Sequence, residues 1–300
     1  MIQQVIQGYC LERLKDLADN SVDSIVTDPP YGISFMGKKW DYDIPSVDVF
    51  RECLRVLKSG GHILCACGTR TQHRMACNIE DAGFEIRDIV TWLYGSGFPK
   101  SMDISKAIDK KAGAEREVIG SKESGCFSNE QRHTIGASKA TEIDITAPST
   151  KEAQEWDGWG TALKPAQEFF TLARKPVSEK TILENVLKYG TGGINIDACR
   201  VNVDLSKEGG NAKRCGKENN YSVSNGSEMF GASKGGYKQE YDCYEKGRFP
   251  ANLIHDGSKC VVEQFPSNFN DTGNAARFFY CAKATKSEQG NGNNHPTVKP

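Results

Sequence analysis

Long apolar runs are missing from this 300-residue sequence. Stretches such as Ile63–Ala66 fall far short of the ~18 residues that a membrane helix requires, which excludes a helical membrane protein. The N-terminus lacks the basic stretch and apolar block of a signal peptide, so the expected location is the cytoplasm. No Cys-x-x-Cys pair occurs among the 11 cysteines, an odd count whose nearest neighbours are Cys65 and Cys67. Thiols so spaced in a reducing compartment are expected to be small buried hydrophobes, and no metal site is expected. An excess of one charge is missing too: 38 Lys and Arg stand against 39 Asp and Glu, so composition announces no polyanionic partner. Nor does a Gly-x-Gly-x-x-Gly turn follow the first expected strand, which argues against a nicotinamide-binding protein.

What is present is enough for a full core, with 38% hydrophobic and 26% charged residues. Residues 1–100 read as alternating helix and strand. Leu11, Leu14 and Leu17 recur at helical spacing in Cys10–Asn20, and Val22–Thr27 is a short β-branched run ended by two prolines. Val47, Phe50, Leu54 and Leu57 mark a second helix, which Ser59-Gly60-Gly61 is expected to stop. His62–Cys67 reads as a strand covered on both faces, Met75, Ile79 and Ala82 as the inward stripe of a third helix, and 86–93 as another strand. This rhythm predicts an α/β fold with a parallel, doubly wound sheet. Residues 101–155 form a polar insertion with nearly balanced charge, and 156–180 hold a core hairpin with Phe169, Phe170 and Leu172. In 181–280 the chain is polar and irregular; from 201 to 240 glycine, asparagine and serine fill 17 of 40 positions, a poor composition for a core. Residues 281–300 are polar again.

The most informative residues are Asp28-Pro29-Pro30-Tyr31, directly after a strand, where open α/β sheets bind their ligands. Two successive prolines stiffen the backbone and remove two donors, leaving carbonyl oxygens as acceptors. Asp28 adds a carboxylate and Tyr31 a flat aromatic face. Two acceptors beside a stacking platform suit a planar amine. The exocyclic amine of a base is a weak nucleophile because its lone pair is delocalised into the ring. Hydrogen bonds from its two N–H groups to Asp28 and the Pro29 carbonyl draw the nitrogen toward tetrahedral geometry and localise that pair for attack on a methyl group. Such a base must first leave the duplex stack. The same tetrapeptide also serves as an ordinary turn, with Asp28 capping the residues after it.

Asp28–Tyr31 and its surroundings resemble the amino-methylating (N6-adenine/N4-cytosine) DNA methyltransferases, with the catalytic motif ahead of the cofactor motif. Similar segments run along the chain and resemble phage and prophage members: Gly8-Tyr9-Cys10-Leu11, Gly32-Ile33-Ser34-Phe35-Met36-Gly37-Lys38-Lys39-Trp40-Asp41, Gly95-Ser96-Gly97-Phe98-Pro99-Lys100, Gly160-Thr161-Ala162-Leu163-Lys164-Pro165, Gly192-Gly193-Ile194-Asn195-Ile196-Asp197, Gly247-Arg248-Phe249-Pro250-Ala251-Asn252 and His295-Pro296-Thr297-Val298-Lys299-Pro300. The resemblance implies a Rossmann-like methyltransferase sheet, with its catalytic half in 1–100 and a target-recognition region in 181–280. It implies S-adenosylmethionine as cofactor and double-stranded DNA as partner. It implies catalysis by Asp28, Pro29, Pro30 and Tyr31 and cofactor contacts from Thr297 and Lys299. Trp40 and Asp41 are expected beside the target pocket, with Trp40 against DNA, and Phe98 and Lys100 are expected to contact DNA, the aromatic by stacking and the lysine at phosphate. Aspartate at the first motif position resembles the adenine-N6 subset; serine there is commoner among cytosine-N4 enzymes.

The chain departs from the family in two places. Tyr9 stands where relatives carry an aspartate thought to reach the cofactor. The Phe-x-Gly-x-Gly cofactor loop that normally follows the His-Pro-Thr-x-Lys-Pro segment does not occur in the 300 residues. Gly95–Phe98 and Gly190–Gly193 come closest, and both lack the strand–loop–helix setting in which such glycines bind a nucleotide. The expected sheet is therefore incomplete, and 281–300 read as the lead-in to a lobe supplied by a downstream segment or a second chain. A non-catalytic DNA-binding fragment, or half of a split enzyme, is the alternative to adenine methylation.

Overall fold

The computed structural model describes residues 4–34, 37–95, 97, 101–123, 142–202, 247–266 and 274–281. In chain order the elements are α1 (Cys10–Arg13), β1 (Val22–Thr27), α2 (Val47–Val56), β2 (Leu57–Cys67), α3 (Gln72–Asp81), β3 (Glu85–Leu93), α4 (Ile104–Ala112), β4 (Val118–Glu123), β5 (Glu142–Thr146), α5 (Lys151–Glu155), β6 (Gln167–Arg174), α6 (Ile182–Tyr189), β7 (Leu253–His255), α7 (Lys259–Val262) and β8 (Tyr280–Cys281), with 3-10 turns between. They fall into two compact units, one drawn from 1–92, 168–255 and 259–281, the other chiefly from 93–167.

The first unit is α/β, as expected, around a six-stranded sheet ordered β1-β2-β6-β3-β7-β8. β1 and β2 run parallel, with Thr27 beside Cys65. β6 runs antiparallel to β2, with Phe169 beside Cys67, so the sheet is mixed. The hairpin expected in 156–180 is instead one strand inserted between β2 and β3. The apolar stripes of α2 and α3 close over β2: Phe50, Ile63, Cys65, Met75 and Ile79 are at most 2% exposed. Burial pushes the Cys53 thiol up to about 11 and Cys65 to about 12, so both stay protonated as small hydrophobes. Cys10, Cys77, Cys199 and Cys260 depart from that expectation and are exposed. The helix expected over Cys10–Asn20 is one turn of α1 followed by a 3-10 turn at Leu14–Asp16. The Arg55 guanidinium holds the carbonyls of Leu14 and Leu17 there, doing what further helical turns would have done.

Ser59-Gly60-Gly61 does not stop a helix. α2 ends at Val56, and the ladder pairs Val22 with Leu57 but Ser24 with His62, so residues 58–61 bulge out of register within β2. The bulge receives a buried polar knot. Asn185 of α6 donates to the carbonyls of Ser59 and Thr191, both at 2.8 Å, and accepts from the Ser59 hydroxyl at 2.7 Å. Gly60 has φ +76°, and a Cβ there would lie 2.6 Å from Asn185 Nδ2. Gly60→Ala is expected to destabilise the protein by roughly 2–4 kcal/mol, the sum of a left-handed alanine and an overpacked contact. A urea midpoint unchanged from wild type would sink that expectation. The knot also ties the Gly190–Gly193 turn to the start of β2, the end of the strand away from the β1–Asp28 junction.

The second unit holds α4, the β4–β5 hairpin and α5. The polar insertion expected at 101–155 is thus organised, and around a polar centre. Asp109 is fully buried and accepts from Arg116 Nη1 at 2.6 Å, the Thr150 hydroxyl at 2.7 Å, and the amides of Thr150 and Ser149 at 2.9 and 3.0 Å. Burial alone would raise its pKa; the hydrogen bonds outweigh it and hold the carboxyl down at about 2, against an ordinary 3.8. Because the folded value is depressed, this stabilisation is complete above the ordinary value and is lost as pH falls from there to about 2. Acid titration followed by circular dichroism should show that slope between these limits, and Asp109→Asn should remove it. No helix among the described residues is long and apolar enough to cross a membrane.

Candidate active site

β1 delivers the chain into Asp28-Pro29-Pro30-Tyr31 at the carboxyl end of the β1–β2 parallel pair. The four residues lie together. Asp28 is exposed and Tyr31 half-buried, and the Tyr31 hydroxyl donates to Asp28 Oδ1 at 2.7 Å. Burial first, then the hydrogen bond to Asp28 and the charge of Glu168, push the Tyr31 phenol far above its ordinary value. Tyr31 therefore keeps its proton and remains a donor at any working pH.

The Tyr31 backbone is clamped from both sides. Asp41, only 2% exposed, accepts from the amides of Tyr31 and Gly32 through one oxygen, at 2.7 and 3.0 Å. Thr71, at the start of α3, donates its hydroxyl to the Tyr31 carbonyl at 2.6 Å. The ring lies over Gly68, where a Cβ would come 3.2 Å from Tyr31 Cδ2. The motif is thus a held loop that presents an acceptor and an aromatic face, with little freedom left to lose when a ligand arrives.

On the other side of the loop, Pro29 and Pro30 border a groove of about 530 Å³ lined by Leu14, Val22, Ile25, Phe50 and Arg13 among others. Among the described strands β1 ends the sheet, and Val26 on it is 77% exposed. The groove has the size of a small-molecule site. Its walls are mostly apolar, and Arg13 is the cation among its lining residues.

The remaining expected site residues are less gathered. Trp40 sits on the 3-10 turn Lys39–Asp41 and is 62% exposed. Asp41 beside it is buried as the anchor of the Tyr31 and Gly32 amides, and so stands next to the motif loop. Tyr9 is exposed and caps α1 through its carbonyl only. Phe98, Lys100, Thr297 and Lys299 lie outside the described residues, as do His295 and the stretch 203–246. Sequence reading missed Thr71, Gly68 and Glu168 at the site. Only Glu168 carried a signal, a carboxylate opening the apolar run Phe169–Ala173.

The carboxyl end of β1 thus brings together a carboxylate, two prolines and an aromatic ring. The sequence model of the N6/N4 DNA methylase family matches residues 22–300. The chain belongs to that family of amino-methylating DNA methyltransferases. It is 31% identical over 117 residues to the type II methyltransferase M.HpaI of Haemophilus parainfluenzae, covering 36% of this chain and 37% of that one. Against M.HinfI of Haemophilus influenzae it is 29% identical over 112 residues, covering 30% and 31%. The matches thus span about a third of each relative's length. Among solved structures it is similar to a DNA modification methylase of Thermus thermophilus complexed with S-adenosyl-L-methionine (16% identity, 58% and 54% coverage, TM-score 0.30).

Proposed function

We propose that this chain methylates adenine at N6 in DNA, with S-adenosylmethionine as methyl donor and Asp28, Pro29, Pro30 and Tyr31 as the residues that hold the base. The observation carrying this reading is the Asp28 carboxylate presented on a loop whose backbone is clamped by Asp41 and Thr71. When bound, the cofactor supplies an electrophilic methyl group. The residues of this chain do the rest. Asp28 and the Pro29 carbonyl accept the two N–H groups of the target amine and localise its lone pair toward the methyl. Tyr31 stacks on the flipped base, and its clamped backbone keeps ring and carboxylate in register. Asp28 acts as acceptor and orienter, taking the amine proton as or after the nitrogen–carbon bond forms and the methyl group's bond to the donor sulfur breaks. The apolar groove beside Pro29 and Pro30 would hold part of the cofactor, Thr297 and Lys299 would add contacts to it, and Trp40, Phe98 and Lys100 would contact DNA. The proposed setting is the cytoplasm, where duplex DNA and cofactor meet.

Aspartate rather than serine at position 28 supports adenine over cytosine-N4. Incubating the 300-residue protein with unmethylated DNA and labelled S-adenosylmethionine, then separating the nucleosides by mass spectrometry, tests both statements. N6-methyladenine is expected, and N4-methylcytosine alone would overturn the adenine assignment. Calorimetric titration of the cofactor in parallel separates the alternative: duplex binding without cofactor binding favours a DNA-binding fragment that needs a segment or chain carrying the cofactor loop.

A further inference from the structure

The Tyr31 hydroxyl lies between two carboxylates. It donates to Asp28 Oδ1 at 2.7 Å and stands 3.3 Å from Glu168 Oε2. A phenol has one proton, so at any moment it serves only one of them. While it serves Asp28, the carboxylate proposed to receive the target amine has one oxygen already engaged.

We infer that Glu168 is a positioning residue that draws the Tyr31 hydroxyl off Asp28 when the base enters, releasing that carboxylate for the amine. Three features support it. β6 pairs with β2 so that Phe169 faces Cys67, which sets Glu168 at the β2 end from which Gly68 continues. The absence of a side chain at Gly68 lets the Tyr31 ring pack there, with its hydroxyl 3.3 Å from Glu168 Oε2 on β6. The clamped backbone leaves hydroxyl rotation as the cheapest way to exchange acceptors. No atom is transferred in this exchange; one O–H···O bond is traded for another.

The inference rests on the proposed role of Asp28, and the test separates the two. Methyl transfer is measured for Glu168→Ala and Glu168→Gln, each with Tyr31 present and with Tyr31→Phe, after circular dichroism has shown the variants folded. With Tyr31 present, Glu168→Ala should lower kcat by roughly tenfold, about the worth of one charge-assisted hydrogen bond, with little change in KM for DNA. Glu168→Gln keeps an acceptor oxygen and should fall between. With Tyr31→Phe there is no hydroxyl to move, and Glu168→Ala should cost nothing further. An equal loss in both backgrounds, or none in either, overturns the inference. A readout independent of turnover is the infrared C–O stretch of Tyr31, obtained as the difference from Tyr31→Phe: adding duplex DNA should shift it in the wild type and not in Glu168→Ala, and a band unmoved in the wild type overturns the inference. If Asp28→Ala transfers methyl groups at the wild-type rate, the parent reading fails whatever Glu168 does.

Discussion

Asp28→Ala should reduce methyl transfer by at least roughly 10²–10³-fold, the usual cost of removing one preorganised partner of a reacting group. The carboxylate is the acceptor that localises the amine lone pair, and the Pro29 carbonyl alone holds one N–H of two. Asp28 is exposed on a loop whose backbone is anchored by Asp41 and Thr71, so its loss leaves the fold intact. Duplex affinity should change by less than about twofold, since phosphate contacts dominate it and a carboxylate makes none. Asp28→Asn keeps one acceptor oxygen and should retain measurable activity above the alanine variant. Initial rates with labelled cofactor, alongside a gel-shift titration, decide the matter. A fully active Asp28→Ala protein would remove the acceptor from the mechanism, and a matching loss of DNA affinity would recast Asp28 as a binding residue.

How much of this was legible in the sequence depends on how local each feature is. β1 and the Asp28–Tyr31 loop were readable because a β-branched run followed by two prolines is self-contained. The inward stripe Met75, Ile79, Ala82 was readable because helical periodicity survives in one segment. The direction of β6 was not, since side chains alternate with the same period in parallel and antiparallel strands. Gly60 misled for a related reason: a glycine pair after a helical stripe reads as a C-terminal stop, and only the buried Asn185, 126 positions beyond Ser59, shows that space was needed. At the site, the chemistry was local and its support was not. Thr71 and Glu168 lie 40 and 137 positions from Tyr31. Asp41, ten positions on, sits among exposed Trp40 and Tyr42, a context that gives no hint of a buried carboxylate.

That buried carboxylate carries the second large expectation. Asp41→Ala should lower stability by roughly 1–3 kcal/mol, because it strands the half-buried amides of Tyr31 and Gly32, and an unsatisfied donor costs about 1–3 kcal/mol when fully buried and less where water reaches it. The same change should cut methyl transfer by on the order of 10²-fold, since displacing a positioned group by about an ångström has that effect on rate. Both losses follow from one event, the release of the Tyr31 backbone, while the Thr71 hydroxyl still holds its carbonyl. Asp41→Asn retains an oxygen acceptor in nearly the same volume and should recover most of the stability. Its rate should recover less, because the amide must also place a donor group in a pocket built to supply two donors to one acceptor. Urea unfolding gives the first quantity, and initial rates corrected for the folded fraction give the second. If the corrected rate of Asp41→Ala matched wild type, the loop would keep its geometry without the anchor, and Asp41 would be a stability residue alone.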